Sequence, residues 1–343
     1  MKIILDAMGG DNAPEAVVLG ALDAAKDFNT EIILVGRGED VLAAMKKNGV
    51  SDLPAGVAIA NADDVVDMHD DPAAVLHKRK NSSMVVGLKM LAEGQGDAFV
   101  SAGSTGALLT AATLVVKRVK GIRRAAMAPA FPNKTGSKTI ICDCGANAEC
   151  TPEFLLQFAI VGSLHAKKSL GIANPRVGLL NSGTEDSKGT ALQLATYPML
   201  VDAHEKGLIN FIGNVEARQV PLGEVDVVVC DGFSGNVMLK TIEGTAMFLG
   251  SKISAMFKKN LLSKLAAALV MKDIKAFKKL LDYREIGGTQ FVGIKKPVIK
   301  AHGSSDARAF YNAVRQAVDA ANNNTAEELE AALKQISAAK EKA

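Results

Sequence analysis

LLNSGTEDSKG, residues 179–189, follows a short apolar run that begins at Arg176, and it precedes TALQLATYPML (190–200), whose apolar residues recur at helical spacing. The run reads as a buried strand, the middle as a turn, and the end as a helix. A helix that opens straight from a strand leaves backbone N–H groups unpaired at its start. With the positive end of the helix dipole and Lys188 nearby, they make an anion site. The plainer reading is that Thr184 or Ser187 caps the helix.

The same order of strand, small polar turn and helix recurs in ILDAMGGDNAPEA (4–16), FVSAGSTGALL (99–109), IICDCGANAECTPEF (140–154), VVVCDGFSGNVML (227–239) and VIKAHGSSDARAF (298–310). This grammar predicts an α/β fold with a mostly parallel sheet and helices on both faces. The carboxyl ends of its strands should gather along one rim, where such sheets bind ligands. DVVVC (226–230) is apolar enough to be covered on both faces. AMAPAFPN (126–133) reads as extended, and REIGGTQFVGIKKP (284–297) as turn-rich with an edge strand.

With 343 residues the chain can bury a large core. It is 48% hydrophobic but only 4% aromatic, without tryptophan, so alanine and glycine should bring helices close to the sheet. A net charge of +3 argues against a dedicated nucleic-acid binder. The charge is uneven, because residues 251–282 hold eight lysines against Asp273 and Asp282.

Four cysteines (142, 144, 150 and 230) show no C-x-x-C spacing, and Met1-Lys2 leads directly into a strand, so reduced cytoplasmic thiols are expected. Cys142 and Cys144 would share a strand face, yet no zinc spacing accompanies them, and no metal or cofactor is expected. Asp70-Asp71 before Pro72 reads as a helix cap rather than a metal site. The longest apolar run, LLSKLAAALVM (261–271), is too short for a membrane span and contains Lys264.

Two basic regions stand out. VKRVKGIRR, with Lys117, Arg118, Lys120, Arg123 and Arg124, is either a solvated helix end or a docking patch for an acidic partner. In 272–282, Ile274, Phe277 and Leu281 fall opposite Lys272, Lys275, Lys278 and Lys279. That helix, with Leu261, Leu262, Leu265 and Leu269 before it, predicts a basic amphipathic hairpin over 247–283 within a single domain of 1–343. The hairpin either packs on a second subunit or touches anionic lipid.

The turns offer glycine, hydroxyl and amide groups and few acid/base pairs, which suits holding an anion and stabilising developing negative charge. The dinucleotide fingerprint, the P-loop and the hydrolase elbow G-x-S-x-G are all missing from the expected places.

DAMGGD (6–11), SAGSTGA (101–107), DCGAN (143–147), SGTEDSKG (182–189), DGFSGN (231–236) and HGSSDARAF (302–310), in this order, closely resemble the bacterial phosphate acyltransferase family PlsX over residues 2 to about 320. Ser104 stands where that family usually has Asn, and Ala125 where it usually has Pro.

The resemblance implies a homodimer with a fold like isocitrate and isopropylmalate dehydrogenases. It also implies transfer of a long-chain acyl group from acyl carrier protein to inorganic phosphate. The product would supply phospholipid synthesis through a membrane-bound glycerol-3-phosphate acyltransferase, and the enzyme would lie in the cytoplasm, peripherally on the membrane.

Under that reading Lys188, His302, Asn147 and Asn236 are the catalytic candidates. The phosphate and substrate candidates are Gly9, Gly10, Asp11, Ser104, Thr105, Ser182, Thr184, Ser187, Asp231, Ser304, Ser305, Asp306 and Arg308. The competing readings are a coenzyme A-dependent phosphate acyltransferase of short acids and a non-catalytic membrane-binding scaffold.

Overall fold

The computed structural model describes residues 1–280, 282–323 and 325–340; Leu281 lies outside them. Among the described residues twelve strands form two sheets. The first contains β1 (Lys2–Asp6), β2 (Glu31–Gly36), β3 (Val57–Asn61), β4 (Ala98–Ser101), β5 (Ala126–Met127), β11 (Gly288–Val292) and β12 (Val298–Ala301), in the order β3-β2-β1-β4-β12-β11-β5. The second contains β6 (Ala130–Pro132), β7 (Lys138–Cys142), β8 (Arg176–Leu180), β9 (Asn210–Val215) and β10 (Val227–Val229), in the order β6-β7-β10-β8-β9.

Pairing is parallel except for β11 with β12, β11 with β5, and β6 with β7. The six expected strand-to-helix turns are therefore divided, three to each sheet, rather than gathered on one rim. The 284–297 segment also differs from expectation, since β11 lies inside its sheet between β12 and β5.

The two sheets meet where AMAPAFPN changes from one to the other. Met127 ends β5 and Ala130 begins β6. Between them Ala128 N–H donates to Gln290 O on the first sheet (3.2 Å), and Pro129 O accepts from Ile141 N–H on the second (3.0 Å). Proline has no N–H to leave unpaired at such a changeover.

Both sheets are covered on both faces, as their apolar strands require. In the first, Ile3, Leu5, Val100 and Ile299 pack with Val17, Ala21, Phe310 and Ala313 of helices Glu15–Phe28 and Ala307–Asn322. Ile4, Phe99 and Val298 pack on the opposite face with Val85 and Leu88 of helix Ser83–Ala92. A methyl group on Gly20 would lie 2.4 Å from the carbonyl oxygen of Ala307, so the contact of the two helices on the first face depends on glycine there. In the second sheet, Leu155, Phe158 and Ala159 of helix Pro152–Ser169 cover Ile140, Val177 and Val227. Ile141 and Val228 pack with Val220 and Met238 on the other side.

From the end of β10 a helix runs from Gly232 to Lys258, followed by helices Leu261–Leu269 and Met271–Leu280. The expected two-helix hairpin is thus three helical segments. Leu261, Leu262, Leu265 and Leu269 are 58–88% exposed and Phe277 is 48% exposed. Among the described residues no helix is long and apolar enough to cross a membrane.

Candidate active site

The first group of turns lies at the ends of β1, β4 and β12. Asp6 is buried, and its Oδ2 accepts from Ser101 Oγ at 2.7 Å while its Oδ1 accepts from Met8 N–H at 3.2 Å. Burial pushes the Asp6 carboxyl above the ordinary range, opposed by the hydrogen bonds from Ser101, Ser83, Met8 and Gly9. Gly10, at φ +102°, carries the chain over this group, and Asp11 N–H donates to Gly303 O at 2.8 Å. Asn12 Nδ2 donates to Ser304 O and Ser305 O, each at 3.2 Å, which joins the β1 turn to the β12 turn.

His302 is exposed at the end of β12. Its Nδ1 accepts from Ser304 N–H at 3.2 Å and lies 2.8 Å from Ser304 Oγ. An Nδ1 that accepts places the proton of the neutral ring on Nε2, which then serves as a donor. Ser104 is buried at the start of helix Thr105–Ala111, and the Ser305 hydroxyl is buried with no hydrogen-bond partner among the described residues.

The second group lies at the ends of β7 and β10, and Asp143 is its centre. Fully buried, Asp143 accepts through Oδ1 from Met127 N–H (2.8 Å) and Cys144 N–H (2.7 Å), and through Oδ2 from Asn147 N–H (2.6 Å) and Asn147 Nδ2 (2.9 Å). Met127 belongs to the first sheet, so this carboxylate ties the two sheets together. Asn147 Nδ2 also donates to Ala125 O at 2.8 Å. The Asn236 side chain lies alongside Gly145 of the same turn, so Asn147 and Asn236 are brought to one place.

The loop after β8 is arranged differently from expectation. Helix Ala191–Glu205 is capped by Thr190, whose Oγ1 accepts from Leu192 N–H, while Gln193 Oε1 accepts from Thr190 N–H. This capping box occupies donors that the sequence reading assigned to an anion. Ser182, Thr184, Ser187 and Lys188 sit instead on an exposed loop ahead of the cap. The loop is held by Asn181 Nδ2 to Lys188 O (3.0 Å) and by Asn214 Nδ2 to Glu185 O (2.7 Å).

Three other candidates have structural partners. Asp231 caps helix Gly232–Lys258, accepting from Ser234 N–H and Oγ at 2.8 Å each. Asp306 caps helix Ala307–Asn322 through Ala309 N–H and pairs with Arg284 at 3.2 Å. Arg308 pairs with Glu285.

In the basic run, Lys117, Lys120, Arg123 and Arg124 are exposed, and Arg118 donates to Arg123 O. Arg124 stands 5.8 Å over the Phe154 ring, at the start of the helix that follows the Asn147 turn. Asp70 receives Arg79 at 2.9 Å, and Asp71 closes a turn through Ala73 N–H. Among the described residues no group of three or more His, Cys, Asp or Glu could hold a metal ion. Burial pushes the Cys144 and Cys150 thiols up to about 12, which removes thiolate character at neutral pH.

Sequence reasoning gave Asp143 no role beyond its place in a turn. The available signal was an Asp followed by small residues and Asn147, a turn that needs an acceptor.

The family model described as fatty acid synthesis protein matches residues 1–328. The phosphate acyltransferase of Bacillus licheniformis is 44% identical over 336 residues, covering 98% of this chain and 99% of that one. That of Oceanobacillus iheyensis is 46% identical over 317 residues, covering 92% of each. A phosphotransacetylase from Streptococcus pyogenes shares the fold, with a TM-score of 0.61 at 21% identity over 94% of each chain. With strand-end turns of this composition and a match along nearly its whole length, the chain belongs to the bacterial phosphate acyltransferase family PlsX, enzymes that transfer an acyl group to phosphate.

Proposed function

We propose that the acyl donor is a long-chain acyl-[acyl-carrier-protein] and that the acyl phosphate formed feeds phospholipid synthesis through a membrane-bound glycerol-3-phosphate acyltransferase. The observation that carries this reading is the position of the exposed basic run 117–124. It borders the Asn147 turn, through Asn147 Nδ2 on Ala125 O and Arg124 over Phe154. An acidic carrier docked on Lys117, Lys120, Arg123 and Arg124 would deliver its thioester next to that turn. Exposed Leu261, Leu262, Leu265, Leu269 and Phe277, beside the lysines of helix Met271–Leu280, suit contact with an anionic membrane surface where the product is consumed.

The reaction needs little proton chemistry. A phosphate oxygen, already anionic, attacks the thioester carbonyl; the new C–O bond forms, the tetrahedral oxyanion collapses and the C–S bond breaks. The carrier's thiolate departs and takes a proton from solvent or from His302. Lys188, Thr184 and Ser187 hold the phosphate, and Asn236 supplies a donor to the oxyanion; Asn147, expected to do the same, has its N–H and Nδ2 committed to Asp143 and Ala125 O and shapes the turn beside it.

Incubation of the purified protein with palmitoyl carrier protein, with and without phosphate, tests this directly. Palmitoyl phosphate detected by mass only when phosphate is present is the expected result. Turnover of acetyl-coenzyme A in place of the carrier substrate would refute the donor. Binding to anionic vesicles with no phosphate-dependent loss of thioester would leave only a scaffold.

A further inference from the structure

Asp6, Ser101 and Lys300 lie side by side on three adjacent strands. Leu5 pairs with Val100 in β1 and β4, and Lys300 pairs with Ser101 in β12 and β4. In-register residues of a parallel sheet point to the same face. Two residues earlier on that face the corresponding row is Ile4, Phe99 and Val298, all fully buried. The sheet therefore changes from an apolar row to a row of carboxylate, hydroxyl and ammonium immediately below the turns that carry Ser104 and His302.

Every polar group in the row is engaged. Ser101 Oγ donates to Asp6 and accepts from Gly103 N–H at 3.1 Å, and Lys300 Nζ donates to Ala102 O at 3.3 Å and to Ala301 O. Ala102 belongs to the turn after β4, while Lys300 itself is on β12 two residues before His302, so this bond ties the β4 turn to the strand that carries the β12 turn. The charged groups acting on the ammonium are Asp11 and Asp6, and its neighbour across β11 is the uncharged Thr289.

We propose that Lys300 is a positioning residue of the acyl-transfer site: its ammonium holds the β4 turn against the β12 turn and so sets Ser104 relative to His302. This inference rests on the proposed acyl-transfer function and on His302 and Ser104 taking part in it from these strand ends.

A methionine at 300 would extend the apolar row beneath it and remove the desolvation cost of the ammonium, against which stand the lost bonds to Ala102 O and Ala301 O and the lost attraction to Asp11 and Asp6. Burial already pushes the Lys300 amine down to about 8, against the pull of Asp11 and Asp6. An ammonium kept at such a place serves the turns above it.

The test uses wild type, Lys300→Met and Lys300→Arg, with phosphate-dependent acyl transfer from palmitoyl carrier protein and thermal unfolding measured on each. The expected result for Lys300→Met is a folded protein whose thermal midpoint at pH 7 stays within a few degrees of wild type, with kcat reduced about 10²-fold, the size of effect that a small misplacement of reacting groups produces. KM should move less than about threefold, since the lost group acts through position and not through uniform binding. Lys300→Arg should recover most of kcat and lack the alkaline fall in activity expected of wild type near pH 8.

A kcat for Lys300→Met within about twofold of wild type would overturn the proposal. So would parallel loss of stability and activity in Lys300→Met together with an unchanged alkaline limb in Lys300→Arg, which marks a purely structural lysine. Failure of wild type to form acyl phosphate would instead strike the functional reading on which the inference rests.

Discussion

Replacing Asp143 by Asn changes one atom in a network made entirely of donors. The carboxylate accepts the Met127 and Cys144 N–H groups at Oδ1 and both donors of Asn147 at Oδ2, these four within 2.9 Å, with Ala146 N–H at 3.4 Å from Oδ1. An amide has one oxygen, so whichever way it is turned its NH₂ faces at least two N–H groups. Two orphaned buried donors at about 1–3 kcal/mol each predict a loss of about 2–6 kcal/mol. Removing the charge returns part of this, because burial already pushes the Asp143 carboxyl above the ordinary range. The lower part of the interval, about 2–3 kcal/mol, is therefore expected. Urea unfolding should show it as a midpoint lowered by on the order of 1 M at an unchanged slope.

The pH dependence gives a second check. A raised carboxyl holds its proton in the folded state to higher pH than in the unfolded chain, so just above the ordinary aspartate value the folded state binds more protons. The stability that Asp143 contributes consequently falls as pH rises through that window, and the Asn variant lacks this component. A variant within about 0.5 kcal/mol of wild type, with the same pH slope, would refute Asp143 as the joint between the sheets.

Gly235→Ala would place a methyl group 2.0 Å from Asp143 O and 2.9 Å from Cys230 Sγ, so we expect a loss above about 3 kcal/mol and little soluble protein; ordinary yield with an unchanged Tm would show that the start of this helix can shift. Lys188→Ala removes an exposed side chain, and should cut acyl-phosphate formation by about 10²–10³-fold while leaving urea unfolding unchanged; undiminished turnover removes Lys188 from the site. Cys144, protonated at neutral pH, should tolerate replacement by serine with turnover within about threefold, and loss of all activity would revive a covalent route.

Local pattern was enough to identify each of the six strand-to-helix turns, because a turn is a matter of neighbouring residues. It was not enough to assign strands to sheets. VIKA and VVV both read as short strands, and which strand each pairs with is decided by helices packed from far along the chain. The extended character of AMAPAFPN was legible; the switch of sheets at Ala128-Pro129 was not, since it depends on Gln290 and Ile141. β3 escaped notice because its half-exposed VAIAN carries a weak alternation.

The cap of helix Ala191–Glu205 was readable. Thr190 and Gln193 form the T-x-x-Q signature, but the richer polar run before them drew attention to Thr184 and Ser187. Lys300 shows the remaining limit. A lysine in a strand means little until its row on the sheet is known.

The helix Gly232–Lys258 leads to the last prediction, which concerns the proposed homodimer. Phe233, Val237, Gly244 and Phe248 are spaced four, seven and four residues apart and share one stripe of this helix. The three large residues are 67%, 49% and 57% exposed, and a methyl group on Gly244 would have no atom within 4 Å. A stripe this open, apolar but for the exposed Lys240 within it, calls for a cover, and a glycine midway along it lets a second helix approach closely. If the cover is a second copy, each symmetric interface contains Gly244 twice. Gly244→Ala should then weaken the dimer by about 1–3 kcal/mol, or roughly ten- to a hundredfold in dissociation constant, as read by sedimentation equilibrium. On a bare helix the same change would instead stabilise the monomer by about 0.5–1 kcal/mol. A wild type that stays monomeric at all concentrations, with a Gly244→Ala variant of higher Tm, would leave this stripe without a second copy and shift the cover to the lipid side.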